Sequence, residues 1–208
     1  MKAQKSFREI RYDEKRRKIL ENAARIFAKK GYERASLEEI AGKLKLTKAS
    51  LYHYIKSKEE MLFLIQMQAI EQLQEALEIV LESGKNPREK LAEAVKCHVR
   101  TVTQRHVVGA LRQQELILPK KWRDEIVAQR DHYDLTFLTI IEEGIEKNVL
   151  QAMDWKMSKM AALGALNWIV RWYSPKGELS VDEIGEAMAD FILQGFGVQR
   201  NKKMKHGD

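Results

Sequence analysis

With 208 residues, 44% of them hydrophobic, the chain can build a sizeable core, as one large domain or a small one joined to a medium one. Only 3 prolines and 11 glycines among long stretches of Ala, Leu, Glu, Lys and Ile favour helix and leave little material for strands. The net charge of +7 is uneven: residues 1–60 hold 17 Lys and Arg against 9 Asp and Glu, whereas residues 61–208 hold 20 against 21, so any polyanion-binding role belongs to the N-terminal part. Charge alone fits a solubilising basic arm equally well.

In chain order, apolar residues recur from Asp13 at helical spacing (Ile19, Ala23, Ile26, Phe27), and Gly31 stops this first helix. Ser36-Leu37-Glu38-Glu39 reads as a capping box, opening a short helix with the stripe Leu37, Ile40, Ala41, Leu44. After a turn at Lys45-Leu46, Thr47 caps a third helix predicted over 48–55. Ser57-Lys58-Glu59-Glu60 opens a long helix reaching about Ser83-Gly84. Asn86-Pro87-Arg88-Glu89 starts another that is predicted to reach about Arg105. A shorter helix follows through Val108 to Leu116, and Pro119 ends the connection after it. Lys120 to about Lys147 is long and amphipathic. Asp154 caps a helix carrying Met157 to Tyr173, Ser174-Pro175-Lys176-Gly177 is a turn, and Ser180-Val181-Asp182-Glu183 opens the last helix, which ends near Gly195. The expected fold class is all-α, about nine helices: a three-helix head with its N-terminal arm over 1–58, then a larger helical body over 59–208.

The second and third helices have the form of a helix-turn-helix, in which the second helix of the pair enters the major groove. Leu51 and Ile55, four apart, anchor the third helix to the core. Lys48, Ala49, Ser50, Tyr52, His53 and Tyr54 are left at its N-terminal end and free sides. The helix N-terminus and Lys58 suit phosphate oxygens, and Lys48 can donate to guanine O6 or N7. The pattern alone also fits an ordinary small-helix cluster with surface aromatics.

The run Thr47-Lys48-Ala49-Ser50-Leu51-Tyr52-His53-Tyr54-Ile55, followed by Ser57-Lys58-Glu59, resembles the signature of the TetR family of bacterial regulators. Ala24, Phe27, Gly31, Tyr32, Ser36, Ile40 and Ala41 fit the family's first two helices. The resemblance implies that Lys48, Ala49, Ser50 and Tyr52 face bases, while Ser36, His53, Tyr54 and Lys58 hold phosphates. Lys45 stands where the family most often has glycine, so the turn asks lysine for a positive backbone angle. Lys2, Lys5, Arg8 and Arg11 fit either an extra arm on the DNA or a merely solvated tail.

The family likeness also implies a homodimer on pseudo-palindromic operator DNA, formed by the last two helices. Ala161, Ala162, Gly164 and Ala165 allow close helix approach, and Trp168, Ile169, Trp172, Phe191, Ile192 and Phe196 supply large contacts; an internal core is the alternative for each. The stretch 167–173, with Pro175, Gly177, Leu179 and Ser180, resembles members that respond to acyl-coenzyme A and control fatty-acid or sterol breakdown. Such an effector needs an apolar tunnel and cations for its phosphates. Val102, Leu111, Phe137, Ile141, Leu163 and Leu166 are tunnel candidates. Arg105, Arg112, Arg130 and Arg171 are phosphate candidates, and Trp168 or Trp172 would stack on adenine.

The reading is therefore a cytoplasmic repressor that a small hydrophobic effector, a long-chain acyl-CoA, releases from DNA. A repressor sensing drug-like or aromatic compounds and a non-specific nucleoid-type DNA binder are the alternatives. A lone Cys97 rules out an internal disulfide. Met1-Lys2-Ala3-Gln4-Lys5-Ser6 is not an apolar leader, and no apolar run reaches the ~18 residues of a membrane span. No His pairing suits a metal, no cofactor motif appears, and no nucleophile–base set marks an enzyme.

Overall fold

The structure, a computed structural model, describes residues 6–104, 106–107, 117–151 and 154–196. These contain eight helices and no strand: α1 (Phe7–Lys30), α2 (Leu37–Lys43), α3 (Lys48–Tyr52), α4 (Lys58–Leu81), α5 (Pro87–Val102), α6 (Lys120–Glu146), α7 (Trp155–Trp172) and α8 (Val181–Gly195). The helix expected through Val108 to Leu116 lies outside the described residues.

The chain packs as two units. The first comprises Met1–Gln72 with Val102–Arg130, the second Leu73–Thr101 with Asp131–Asp208. The first is held by Ile19, Ala23 and Phe27 of α1, Ile40 and Ala41 of α2, Leu51 of α3 and Ile55 after it, and Met61, Leu62 and Ile65 of α4, all nearly inaccessible to solvent. Each of these helices is short or strongly charged on its outer side. Burial of the shared apolar face, not intrinsic propensity, therefore holds them folded.

Helix starts follow their caps. Helix α1 begins six residues before Asp13, because Ser6 and Glu9 bond reciprocally: the Glu9 amide donates to Ser6 Oγ (3.3 Å) and the Ser6 amide to Glu9 Oε2 (2.7 Å). Ser36 accepts from the Glu39 amide (3.1 Å), but the Glu39 carboxylate pairs with Lys30 (2.6 Å). Asn86–Glu89 and Ser180–Glu183 close as reciprocal boxes, and Asp154 accepts from the amides of Lys156 and Met157.

Helix stops are equally local. At Gly31, φ is 83° and ψ 155°, a conformation essentially reserved for glycine. The turn between α2 and α3 is a Schellman motif. The Leu46 amide donates to the Ala41 carbonyl (2.9 Å), that of Lys45 to Gly42 (3.1 Å), and Lys45 takes φ 55°. Helix α6 ends in the same motif with Asn148 at φ 57°. Its Gly144 leaves room for Leu150: an added Cβ would meet Leu150 Cδ1 at 2.5 Å.

The second unit is filled from α5, α6, α7 and α8. Leu91, Val95 and Val99, Phe137, Ile140 and Ile141, Leu166 and Ile169, and Ile192 and Phe196 are all buried. Among the described residues no helix is long and apolar enough to cross a membrane.

Candidate nucleic-acid interface

Helix α3 is only five residues long, so its pose depends on its neighbours. Thr47 starts it by accepting from the Ser50 amide (3.1 Å), with a 2.9 Å contact between the two hydroxyls. Leu51 and Ile55 are 1% exposed and fasten one side to the core. The opposite side carries Lys48, Ala49, Ser50, Tyr52 and His53, all exposed. The helical hydrogen-bond pattern ends at Tyr52, although the amides of Tyr54 and Ile55 still donate to the Leu51 carbonyl (2.9 and 3.1 Å).

Two cations assigned to DNA are engaged within the protein. Lys48 Nζ forms an ion pair with Glu38 and lies 6.0 Å from the Tyr52 ring centroid. The hydrogen bond between them raises the Lys48 ammonium above its ordinary value and lowers the Glu38 carboxyl. Both side chains are solvent-exposed, so Lys48 can exchange this partner for a base edge at little cost. Lys58 Nζ donates to the Glu33 carbonyl (3.2 Å) and sits 4.3 Å from the Tyr32 centroid, tying α4 to the loop before α2. Tyr32 is itself buried and next to Glu59, which pushes its phenol up to about 12. Ser36 is exposed at the start of α2.

Tyr54 is half-buried because α1 reaches it. The Tyr12 ring stacks on Tyr54 (centroids 4.9 Å, 27° between planes) and meets His53 edge-on (5.9 Å). The Tyr12 hydroxyl donates to the His53 carbonyl (3.3 Å), satisfying an acceptor that the helix end leaves open. Sequence reasoning missed both Tyr12 and the α1 extension that carries it. The signal was present in Ser6-Phe7-Arg8-Glu9, the same capping pattern recognised at Ser36 and Ser180.

The candidate effector residues separate by position. Phe137, Ile141, Leu163 and Leu166 are buried in the second unit and Val102 is buried in the first. Arg105, Leu111 and Arg112 lie outside the described residues. Arg130 is half-buried in the first unit, where Nη2 donates to Gln66 Oε1 (3.3 Å). Trp168 (61% exposed), Arg171 and Trp172 (49% exposed) do not join the buried group. They lie on the side of α7 opposite Leu166, Ile169, Val170 and Tyr173, whose i, i+3, i+4, i+7 spacing faces the core. The same geometry corrects three contacts expected across a dimer. Ile169, Ile192 and Phe196 are 0–3% exposed and belong to the interior of the chain itself.

Near Phe137 and Leu166 lies a buried polar pair that the sequence reading passed over. His98 Nδ1 is 2.8 Å from the Tyr133 hydroxyl, Tyr133 packs against Phe137 (6.4 Å), and the imidazole also faces the Leu166 backbone. Burial drops the imidazole to about 4, so His98 is neutral at pH 7. Among the described residues no group of His, Cys, Asp and Glu is arranged to hold a metal. Cys97 is a half-buried thiol beside Glu93, raised by burial.

Two family descriptions match this chain: "Bacterial regulatory proteins, tetR family" over residues 19–65, and "Tetracyclin repressor-like, C-terminal domain" over residues 84–196, more than half its length. The chain belongs to the TetR family. It is 35% identical to the TetR family transcriptional regulator PfmR from Thermus thermophilus, with a TM-score of 0.78 over 88% of this chain and 99% of that one. It is 29% identical to AibR, crystallised with isovaleryl coenzyme A and operator DNA, with a TM-score of 0.74 over 86% and 97% of the two chains. The transcriptional repressor KstR2 of Mycolicibacterium smegmatis is 25% identical over 91% of this chain and 94% of its own. The protein is a TetR-type transcriptional repressor with a DNA-binding helix-turn-helix, and its family and relatives are regulators, not enzymes.

Proposed function

We propose that the protein is a cytoplasmic, homodimeric repressor that a fatty acyl-CoA releases from a pseudo-palindromic operator controlling fatty-acid or related lipid degradation. Residues 1–58 read DNA and residues 59–208 take the effector and dimerise. The observation that carries the DNA half is the division of α3 between buried anchors (Leu51, Ile55) and an exposed side made of Lys48, Ala49, Ser50, Tyr52 and His53. Lys48, Ala49, Ser50 and Tyr52 face bases, the Ala49 methyl against a thymine methyl. Ser36, His53, Tyr54 and Lys58 hold phosphates.

Two heads about 34–36 Å apart are required by two half-sites on one face of DNA. Helices α7 and α8 offer the surface for pairing: Met157, Met160, Gly164, Trp168 and Trp172 on α7 and Phe191 on α8 form an exposed apolar face. The likeness to AibR, crystallised with isovaleryl coenzyme A, supports the acyl-CoA reading. Phe137, Ile141, Leu163 and Leu166, all buried in the second unit, supply the apolar surroundings for the acyl chain. Helix α4 starts directly after the head, so effector binding that shifts α4 changes the spacing of the reading helices. A coupling of ~1–3 kcal/mol would weaken operator binding about 5- to 150-fold.

The test is fluorescence anisotropy on an operator selected from random-sequence DNA. Acyl-CoAs of increasing chain length, free CoA and free fatty acids are titrated in turn. Release by the esters alone is the expected result. Operator binding that no ester disturbs would reject the acyl-CoA assignment and leave a repressor of drug-like or aromatic signals. Equal affinity for random DNA would reject the regulator itself in favour of a nucleoid-type binder.

A further inference from the structure

Lys48 and Lys58 already have partners inside the head, but a second set of cations is free of carboxylates. Arg8, Arg11, Lys15 and Lys18 recur at helical spacing along one face of α1, and among the described residues none of them pairs with an acidic side chain. With Phe7, Tyr12 and Glu14 of the same helix, and with His53 and Tyr54 from the end of the reading helix, they line an open groove of about 660 Å³. Glu14 opposes one of the four charges and leaves the groove cationic. Arg11 lies over the Phe7 ring (5.8 Å), which steers its guanidinium. Tyr12, stacked on Tyr54 and bonded to the His53 carbonyl, fixes the wall shared with the reading helix.

We propose that this groove is a phosphate track for operator DNA outside the base pairs that α3 reads. The inference rests on the docking proposed above, in which His53 and Tyr54 touch phosphates. The groove is continuous with those two residues, so the cations farther along α1 meet the next phosphates of the same backbone. From Arg8 to Lys18 the helix rises about 15 Å. Because a strand winds around the duplex, its phosphates lie farther apart than the ~3.4 Å rise along the axis, and that length spans roughly three to four of them. An α1 that began at Asp13 would lack Arg8 and Arg11; the Ser6–Glu9 cap is what makes them part of a rigid stripe.

The experiment compares the full-length protein with the variant Arg8→Gln/Arg11→Gln/Lys15→Gln/Lys18→Gln, which keeps the side-chain stems and removes the charge. Anisotropy is measured from 50 to 300 mM KCl on two duplexes carrying the selected operator, one with ten flanking base pairs on each side and one trimmed to the bases read. On the long duplex the slope of log affinity against log salt is expected to shrink by about 3 to 4 in the variant, near 0.9 per phosphate released. On the trimmed duplex the two proteins should differ much less. Preference for operator over random DNA should persist. An unchanged slope on the long duplex, with the helical circular dichroism of the variant intact, would overturn the track while leaving the repressor in place. Failure of the wild-type protein to prefer any selected sequence is a separate result, and it would remove both.

Discussion

His98 makes the interior of the second unit sensitive to acid. Its ring is 2% exposed, Nδ1 engages the Tyr133 hydroxyl at 2.8 Å, and burial lowers the imidazole from 6.5 to about 4. The unfolded chain takes up this proton at the ordinary value, and the folded chain resists it. The contribution to stability is therefore complete above about pH 6.5 and is lost as the pH falls toward 4. The full difference is about 3 kcal/mol, of which about 2 kcal/mol disappears between pH 7 and pH 5. His106, half-buried and also held below its ordinary value, acts in the same direction. A comparison that leaves His106 untouched isolates His98. The double variant His98→Leu/Tyr133→Phe removes both ends of the hydrogen bond, so neither is left buried alone. Urea unfolding is followed by circular dichroism at one protein concentration, because the proposed dimerisation would shift the midpoint. Wild type should lose about 2 kcal/mol more than the double variant on going from pH 7 to pH 5. Equal losses would refute the claim that a buried neutral imidazole governs this response.

Gly144→Ala should lower stability by about 1–3 kcal/mol in the same assay, since the new methyl falls 2.5 Å from Leu150 Cδ1; the gain in helix propensity is smaller than this overpacking cost. Trp168→Glu/Phe191→Glu places charges on the exposed face of α7 and α8 and should give a monomer by sedimentation at micromolar concentration, with the helix content unchanged; a persistent dimer would place the interface elsewhere. Tyr12→Ala frees Tyr54 and the His53 carbonyl and should weaken binding to operator and random DNA alike. Loss confined to the operator would instead mean that Tyr12 supports base reading.

Much of this protein is decided locally and can be read along the chain. The caps at Ser36, Thr47, Ser57, Asn86, Asp154 and Ser180 are side-chain bonds to amides two or three residues away. The expected positive backbone angle at Lys45 is present, because the Schellman turn between α2 and α3 requires one whatever residue stands there. Leu51 and Ile55 point inward because four-residue spacing puts them on one side of a helix. These are short-range constraints with few competing solutions.

What remained hidden depends on residues far apart in sequence. Tyr12 and Tyr54 are 42 positions apart, and only the packing of α1 across the end of α3 brings them into contact. Glu38 reaches Lys48 only across the turn between α2 and α3. Helical periodicity shows that α7 has two faces without saying which one meets the core, so Ile169 and Trp168 looked alike until α5, α6 and α8 were packed around it. The sequence by itself determined most of the helix starts, through their caps, and which residues α3 leaves exposed. The tertiary structure decided which apolar face is interior and which cations are already neutralised, because burial and ion pairing are properties of neighbours the chain supplies only after it folds.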